Sequence, residues 1–345
     1  MVSSKSVSAF CPGHITGFFQ IRDSSDEPQR KGSIGSGFNT TAGALTKASF
    51  NRLGNTEKAV EMKPGVFLSL NRSGNPVEMD DLAVSRDMIS RFLSLIDSVK
   101  LPEISRGGIY LLVDTRFDLP LSQGFGMSGA GLISQVMALN SLFDSPLSRE
   151  ECIRIAHHSE IVHGTGLGDI PAQSVGGFTI REREGLMPYG KIHNFPVTNK
   201  VILAVFGSRV PTRNIILVDT QRSTINKHSE GMLSRLLTNL PSHFSGNQPL
   251  EPGSAETLLA EMVTLSFRFA LDTGLMNPKT RELCQEINKV VSPGSSMCML
   301  GNSIFVIFPY GNLTEDVLYK KVKGKLLENC EVFETAICPT GATVL

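Results

Sequence analysis

The sequence predicts an α+β protein of two packed layers, divided into two domains. Three observations carry this expectation. Apolar, β-branched runs such as Ile109–Val113 and Val201–Phe206 have strand length. Segments with apolar residues at helical spacing, the plainest running from Ser128 to Phe143, have helix length. At 345 residues the chain is long enough for more than one core.

In chain order, Val7–Cys11 and Gly17–Ile21 read as strands around a turn at Pro12 and Gly13. Ala42–Ser49 reads as another strand, and Lys31–Gly37 before it as a flexible, linker-like loop. A helix is expected over Asp80–Ile96 and a buried strand over Gly108–Asp114. Helices follow at Ser128–Phe143 and Ser148–His163. The second opens with Ser148 and carries Glu151 three residues on, the pattern of a capping box. Polar, proline-containing sequence at Pro188–Asn199 suits a boundary, which places the domains at 1–195 and 196–345. Beyond it come a strand at Lys200–Phe206 and helices at Ser229–Leu240, Ala255–Thr273 and Lys279–Val291. Strands at Met297–Leu300 and Ile304–Phe308, a helix at Glu315–Leu327 and a strand at Val332–Ile337 complete the pattern. Gly246–Gly253 reads as a loop, and no tandem repeat occurs.

Composition narrows the function. The 33 basic and 33 acidic residues balance, and tryptophan is absent. Neither fits a nucleic-acid partner, which leaves a basic footprint or a stacking platform. No apolar run approaches the roughly 20 residues of a membrane span, and the first residues lack the apolar core of a signal peptide. Six cysteines without a Cys-x-x-Cys pair read as free thiols in a reducing compartment, so a cytoplasmic location is expected. The oligomeric state is left open, a homodimer included.

Two segments carry chemistry. In Pro120–Gly131, glycines and small residues run straight into a helix, so that backbone N–H groups converge where the helix dipole is positive. Such a cradle suits a polyphosphate, and Ser128 can offer a hydroxyl to a metal or phosphate oxygen. A plain glycine turn capped by a helix has the same local pattern. The segment lacks the Gly-Lys-Ser/Thr of a P-loop, and the early strand is not followed by a Gly-x-Gly-x-x-Gly with an acidic residue about 20 positions on, so an NAD-dependent oxidoreductase fails on motif. In Glu160–Asp169, a helix ends at His163 and Gly164, and a glycine-rich turn delivers Asp169. A turn aspartate that caps its own backbone is the structural alternative. Glu160 can pair with a cation or ligate a metal. His157, His158 and His163 lack the spacing of a transition-metal site.

Pro12-Gly13-His14-Ile15-Thr16-Gly17, Lys31-Gly32-Ser33, Gln123–Ser128, Gly164–Asp169 and Ser296–Asn302, in this order and at these spacings, resemble the motifs of the GHMP kinases and, within them, the pantoate kinase branch. His14 stands where several sugar and mevalonate kinases carry Lys or Arg, and Met127 replaces the first serine of their phosphate loop. The resemblance implies an N-terminal, ATP-binding domain like the second domain of ribosomal protein S5 and a ferredoxin-like C-terminal domain. It also implies transfer of a phosphoryl group from ATP to (R)-pantoate with Mg2+, giving (R)-4-phosphopantoate on the way to coenzyme A.

By the same resemblance, Gly124, Phe125, Gly126, Met127, Ser128, Gly129 and Ala130 would hold ATP. Ser128 and Glu160 would hold the metal, and Asp169 would be the catalytic carboxylate. His14, Thr16, Lys31 and Arg213 are the candidates for the substrate, Arg213 for its carboxylate. A homoserine- or mevalonate-type kinase is the alternative within the family. An inactive nucleotide or metabolite sensor is the alternative outside it.

Overall fold

The computed structural model describes residues 5–52, 59–77, 79–96, 109–207, 218–240, 252–310 and 313–345. Among these residues, two sheets organise the chain. The larger contains β1 (Ser6–Arg22), β2 (Gly32–Arg52), β3 (Val60–Lys63), β4 (Val66–Arg72), β5 (Asn75–Pro76), β6 (Ile109–Phe117), β7 (Phe178–Arg183), β8 (Lys191–Phe195) and β13 (Thr343–Val344). Its main path runs β13-β1-β2-β6-β4-β3, and β4 and β6 are its parallel pair. The early end of β2 also pairs with β7, which pairs with β8.

The helices of this half are α1 (Met79–Leu95), α2 (Met127–Leu142), α3 (Arg149–His163) and the short α4 (Asp169–Val175). α2 packs on β1 and β2 and is flanked by α1 and α3. It is buried on nearly every side, which accounts for its apolar sequence all round. The capping box at α3 is formed: Glu151 N–H donates to the Ser148 hydroxyl, and Ser148 N–H donates to Glu151 Oε2 at 2.7 Å.

The second sheet holds β9 (Lys200–Val205), β10 (Gly294–Met297), β11 (Ser303–Ile307) and β12 (Glu331–Ala336), in the order β10-β11-β9-β12. All its pairs are antiparallel, and the order is the ferredoxin-like one. α5 (Asp219–Ser229), α6 (Met232–Thr238), α7 (Pro252–Asp272) and α8 (Pro278–Asn288) lie between β9 and β10, and α9 (Leu313–Leu327) links β11 to β12. The C-terminal residues then leave this sheet and return to the first. Cys338 N–H donates to Asn39 O at 2.9 Å, Ala342 N–H to Gln173 O at 3.0 Å, and β13 pairs with β1.

Four local expectations are corrected. β1 is one strand, not two around a turn. Pro12-Gly13 is a register shift within the ladder, where a residue without an N–H is tolerated. Lys31–Gly37 is no loop, since β2 starts at Gly32 and its glycines serve close strand approach. A β-carbon on Gly37 would lie 2.3 Å from Ile15 O. The helix expected over Ser229–Leu240 is only the short α6, Met232–Thr238; α5 ends at Ser229, and Gly231, whose φ of 77° is left-handed, separates the two. The strand expected at Met297–Leu300 lies earlier, because Leu300, at φ 66°, turns the chain back. β8 forms inside the polar stretch Pro188–Asn199. Of the loop expected at Gly246–Gly253, residues 246–251 lie outside the described residues, and α7 already begins at Pro252.

Candidate active site

The glycine loop is shaped by its neighbours. Gly124 and Gly126 have φ of 75° and 63°, a region costly for other residues. Gly126 is the N-cap of α2 and brings no side chain to the first-turn N–H groups, so these face the space ahead of the helix. His14 N–H donates to Phe125 O at 3.0 Å, and Gln173 Nε2 donates to Gly126 O at 2.8 Å. From the second sheet, the Ser303 hydroxyl donates to Gln123 O at 2.6 Å and Asn302 N–H donates to Gln123 Oε1 at 3.1 Å. A β-carbon on Gly301 would lie 2.1 Å from Gln123 O, and one on Gly124 would lie 2.6 Å from Met299 O. Met127, Gly129 and Ala130 are buried, while Ser128, second residue of α2, is half-buried.

Three ionisable groups meet beside this loop. Glu160, near the end of α3, is fully buried, and neither carboxyl oxygen has a hydrogen-bond partner. A β-carbon on Gly129 would come within 3.1 Å of its Oε1, which places the carboxyl against the start of α2. Asp169 opens α4 and accepts a long hydrogen bond, 3.5 Å, from the Thr16 hydroxyl. Arg181 on β7 is buried; its Nη1 donates to His14 Nε2 at 3.1 Å, while Nε and Nη2 have no partner.

The electrostatics follow from burial first. Burial pushes Asp169 up to about 6, against the pull of Arg181 and Thr16. Burial and then the Asp169 charge raise Glu160 well above the carboxylate range, opposed by Arg181. Burial draws Arg181 down to about 10, against both carboxylates. One cation thus lies among two carboxyls in a dry setting, where directed charge acts strongly.

Ser33 and Gly168 close the site beside Arg181. A β-carbon on Gly168 would lie 2.3 Å from Ser33 Oγ and 2.9 Å from Arg181 Nε, so only glycine fits this close against the guanidinium. Lys31 stands two residues before Ser33, and its carbonyl accepts from His157 Nε2 at 3.1 Å. The structure therefore brings together the glycine loop, Glu160, Asp169, Thr16 and His14, with Lys31 at the margin. Arg213 lies outside the described residues. Arg181, Gln173, Asn39 and Ser33 were not foreseen as site residues. The signal for Arg181 was present: a charge following Phe178-Thr179-Ile180, a buried strand segment, requires a function or a partner.

The family model described as the GHMP kinases N terminal domain matches residues 89–177, which contain the loop, Glu160 and Asp169. The pantoate kinase of Methanospirillum hungatei is 31% identical over 339 residues, covering 98% of this chain and 96% of that relative. The pantoate kinase of Methanocaldococcus jannaschii is also 31% identical, over 86% of this chain and 91% of the relative. The mevalonate kinase of Pyrococcus furiosus is 25% identical over 46% of each chain. Among solved structures, a "phosphotransferase related to CoA biosynthesis pathway" superposes with a TM-score of 0.75 at 23% identity, covering 99% of both chains. The homoserine kinase of Cytophaga hutchinsonii follows the same fold with a TM-score of 0.63 at 15% identity. Near-full-length identity above 30% and a shared fold lead to one conclusion: this chain is a member of the pantoate kinase family, within the GHMP kinases.

Proposed function

We propose that the chain phosphorylates (R)-pantoate at its primary hydroxyl, producing (R)-4-phosphopantoate and ADP for coenzyme A biosynthesis. The observation that carries this reading is the meeting of Glu160, Asp169 and Arg181 at the start of α2, behind its glycine N-cap. In the transfer, the bond from the pantoate oxygen to the γ-phosphorus forms as the bond from that phosphorus to the β,γ-bridging oxygen breaks. The hydroxyl proton passes to Asp169. Because this transition state is loose, positioning and neutralisation of charge do most of the work.

Each group has a role in this reading. Residues 124–130 offer backbone N–H groups to the phosphates. Glu160, a buried carboxyl without a donor, and the hydroxyl of Ser128 fit a hard divalent cation that keeps much of its water. Among the described residues no cluster of three or more His, Cys, Asp and Glu offers a fuller cage. Held by Glu160 and Ser128, Mg2+ would supply positive charge to neutralise the phosphates. Thr16 orients Asp169, whose raised pKa makes it a better late proton acceptor than an ordinary carboxylate. Arg181 takes the pantoate carboxylate, the role expected of Arg213 from sequence, and Lys31 adds positive charge at the margin. The division at 195/196 belongs to this reading, with the C-terminal residues crossing back to brace α4. So does a cytoplasmic location, which suits the free cysteines; among the described residues no helix is long and apolar enough to cross a membrane.

ADP release with ATP and Mg2+ over a panel of pantoate, mevalonate and homoserine tests the proposal. Turnover is expected with pantoate; turnover of mevalonate or homoserine with none of pantoate would replace the substrate.

A further inference from the structure

Behind Arg181 stands a chain of hydrogen bonds whose every direction can be assigned. Asn39 donates from Nδ2 to Ala172 O at 3.0 Å and to Gly177 O at 3.2 Å. Its amide orientation is therefore fixed, and Oδ1 is the atom facing His14, 3.2 Å from Nδ1. An amide oxygen only accepts, so Nδ1 of His14 carries a proton. Nε2 is then a bare lone pair, and Arg181 Nη1 donates to it at 3.1 Å. A doubly protonated ring would set an N–H against the guanidinium. Burial, and then the Arg181 charge, hold His14 well below the usual histidine range. With both nitrogens engaged and 1% exposure, His14 has no free atom for a ligand.

The geometry at Arg181 completes the case. His14 occupies Nη1, which leaves the side edge formed by Nε and Nη2, the edge that grips both oxygens of one carboxylate. Both atoms are buried without a partner, and Gly168 packs on the Nε side so closely that a β-carbon there would lie 2.9 Å from Nε. The relay ends on carbonyls of α4 and of the turn after it, so it references the guanidinium to the element that presents Asp169.

We propose that His14 is a positioning residue: a neutral Nδ1–H imidazole, locked by Asn39, that holds Arg181 by Nη1 and turns its Nε–Nη2 edge toward the substrate carboxylate. This deepens the functional reading above and rests on it. His14 acts through Arg181 rather than on pantoate itself.

Steady-state kinetics at saturating Mg2+ test it with two substitutions that split the relay. His14→Gln can place its oxygen near the Nε2 position and keep an acceptor for Arg181. His14→Asn can keep a donor for Asn39 and removes that acceptor. His14→Asn is expected to raise KM for pantoate about ten- to thirtyfold, the scale of losing one hydrogen bond to a buried charged group. KM for ATP should stay within about twofold, and His14→Gln should raise KM for pantoate clearly less. Equal effects of the two variants, or a parallel rise in KM for ATP, would overturn the proposal. Arg181→Gln separates the two levels: if it leaves KM for pantoate unchanged, the carboxylate reading itself fails. If it raises that KM and His14→Asn does not, only the relay fails. Nitrogen-15 spectra of histidine-labelled wild type, with His14 assigned by its loss in His14→Gln, need no folded His14→Asn. A bare Nε2 is expected at neutral pH; a protonated Nε2 would overturn the tautomer and the proposal with it.

Discussion

A β-carbon placed on Gly166 would lie 2.5 Å from Oε1 of Glu160. The turn after α3 thus touches the carboxyl directly, and glycine there sets where that carboxyl can stand. Gly166→Ala should displace Glu160 and raise the Mg2+ concentration for half-maximal activity about ten- to a hundredfold, as losses around metal ligands do. Titration of Mg2+ at saturating ATP and pantoate reads this. An unmoved midpoint in a folded variant would take Glu160 out of the metal site.

Asp169→Asn keeps the size of the side chain and removes its capacity to accept the hydroxyl proton. Turnover should fall about a hundred- to ten-thousandfold, with both KM values changed only a few fold. ADP release with pantoate present measures it. A loss carried by KM alone would assign Asp169 to binding.

Burial depresses His157 to about 4, although its ring also bonds to the carbonyls of Lys31 and Pro28. The unfolded chain takes a proton near 6.5, and the folded chain refuses it until about 4. The stability His157 contributes is therefore complete above 6.5 and falls away as pH drops from 6.5 to 4, by about 3 kcal/mol. His157→Gln lacks the titration. Its stability deficit against wild type should narrow across that window in urea unfolding series at pH 7, 5.5 and 4.5. The difference between the two proteins isolates this group from Asp169 and Glu160, whose raised pKa values act in the opposite sense. A deficit independent of pH would contradict a buried neutral His157.

The cap of α3 and the one glycine inside α9 give a matched pair away from the chemistry. Ser148→Ala should cost about 1 kcal/mol, near 1 °C in Tm for a chain of this length. Gly324→Ala, on the exposed face of α9 with nothing within 4 Å of a new β-carbon, should stabilise by about 0.5–1 kcal/mol. Kinetic constants should not move in either. Scanning calorimetry with parallel assays checks both, and opposite signs in Tm would contradict the local origin of these effects.

What the sequence disclosed and what it hid follow from the range of the forces involved. The Ser148–Glu151 cap is complete within four residues, and α2 announces itself by its own apolar run. Asp169 and the glycine loop were legible because glycines beside a polar group leave a short-range mark. Arg181 was not, because its partners lie far away in sequence: His14 on β1, and the carboxyls of α3 and α4. The glycines of β2 were misread as flexibility for the same reason. Their purpose, room for the carbonyls of β1, exists only once the strands are paired. Gly37 packs against Ile15 and Gly35 against Phe18, contacts that no local window contains.

The segment 123–126 reads in sequence as the most portable piece of the molecule, yet its curvature is borrowed. Ser303 and Asn302 hold it from one sheet, His14 from the other, and Gln173 from the helix of Asp169. It works as a keystone, bearing on every arch stone around it. A peptide of these residues would straighten, and a graft onto another scaffold would have to carry all four supports along. Mutational drift in the second sheet should accordingly be felt at this turn and, on the proposed function, at the phosphates it would hold.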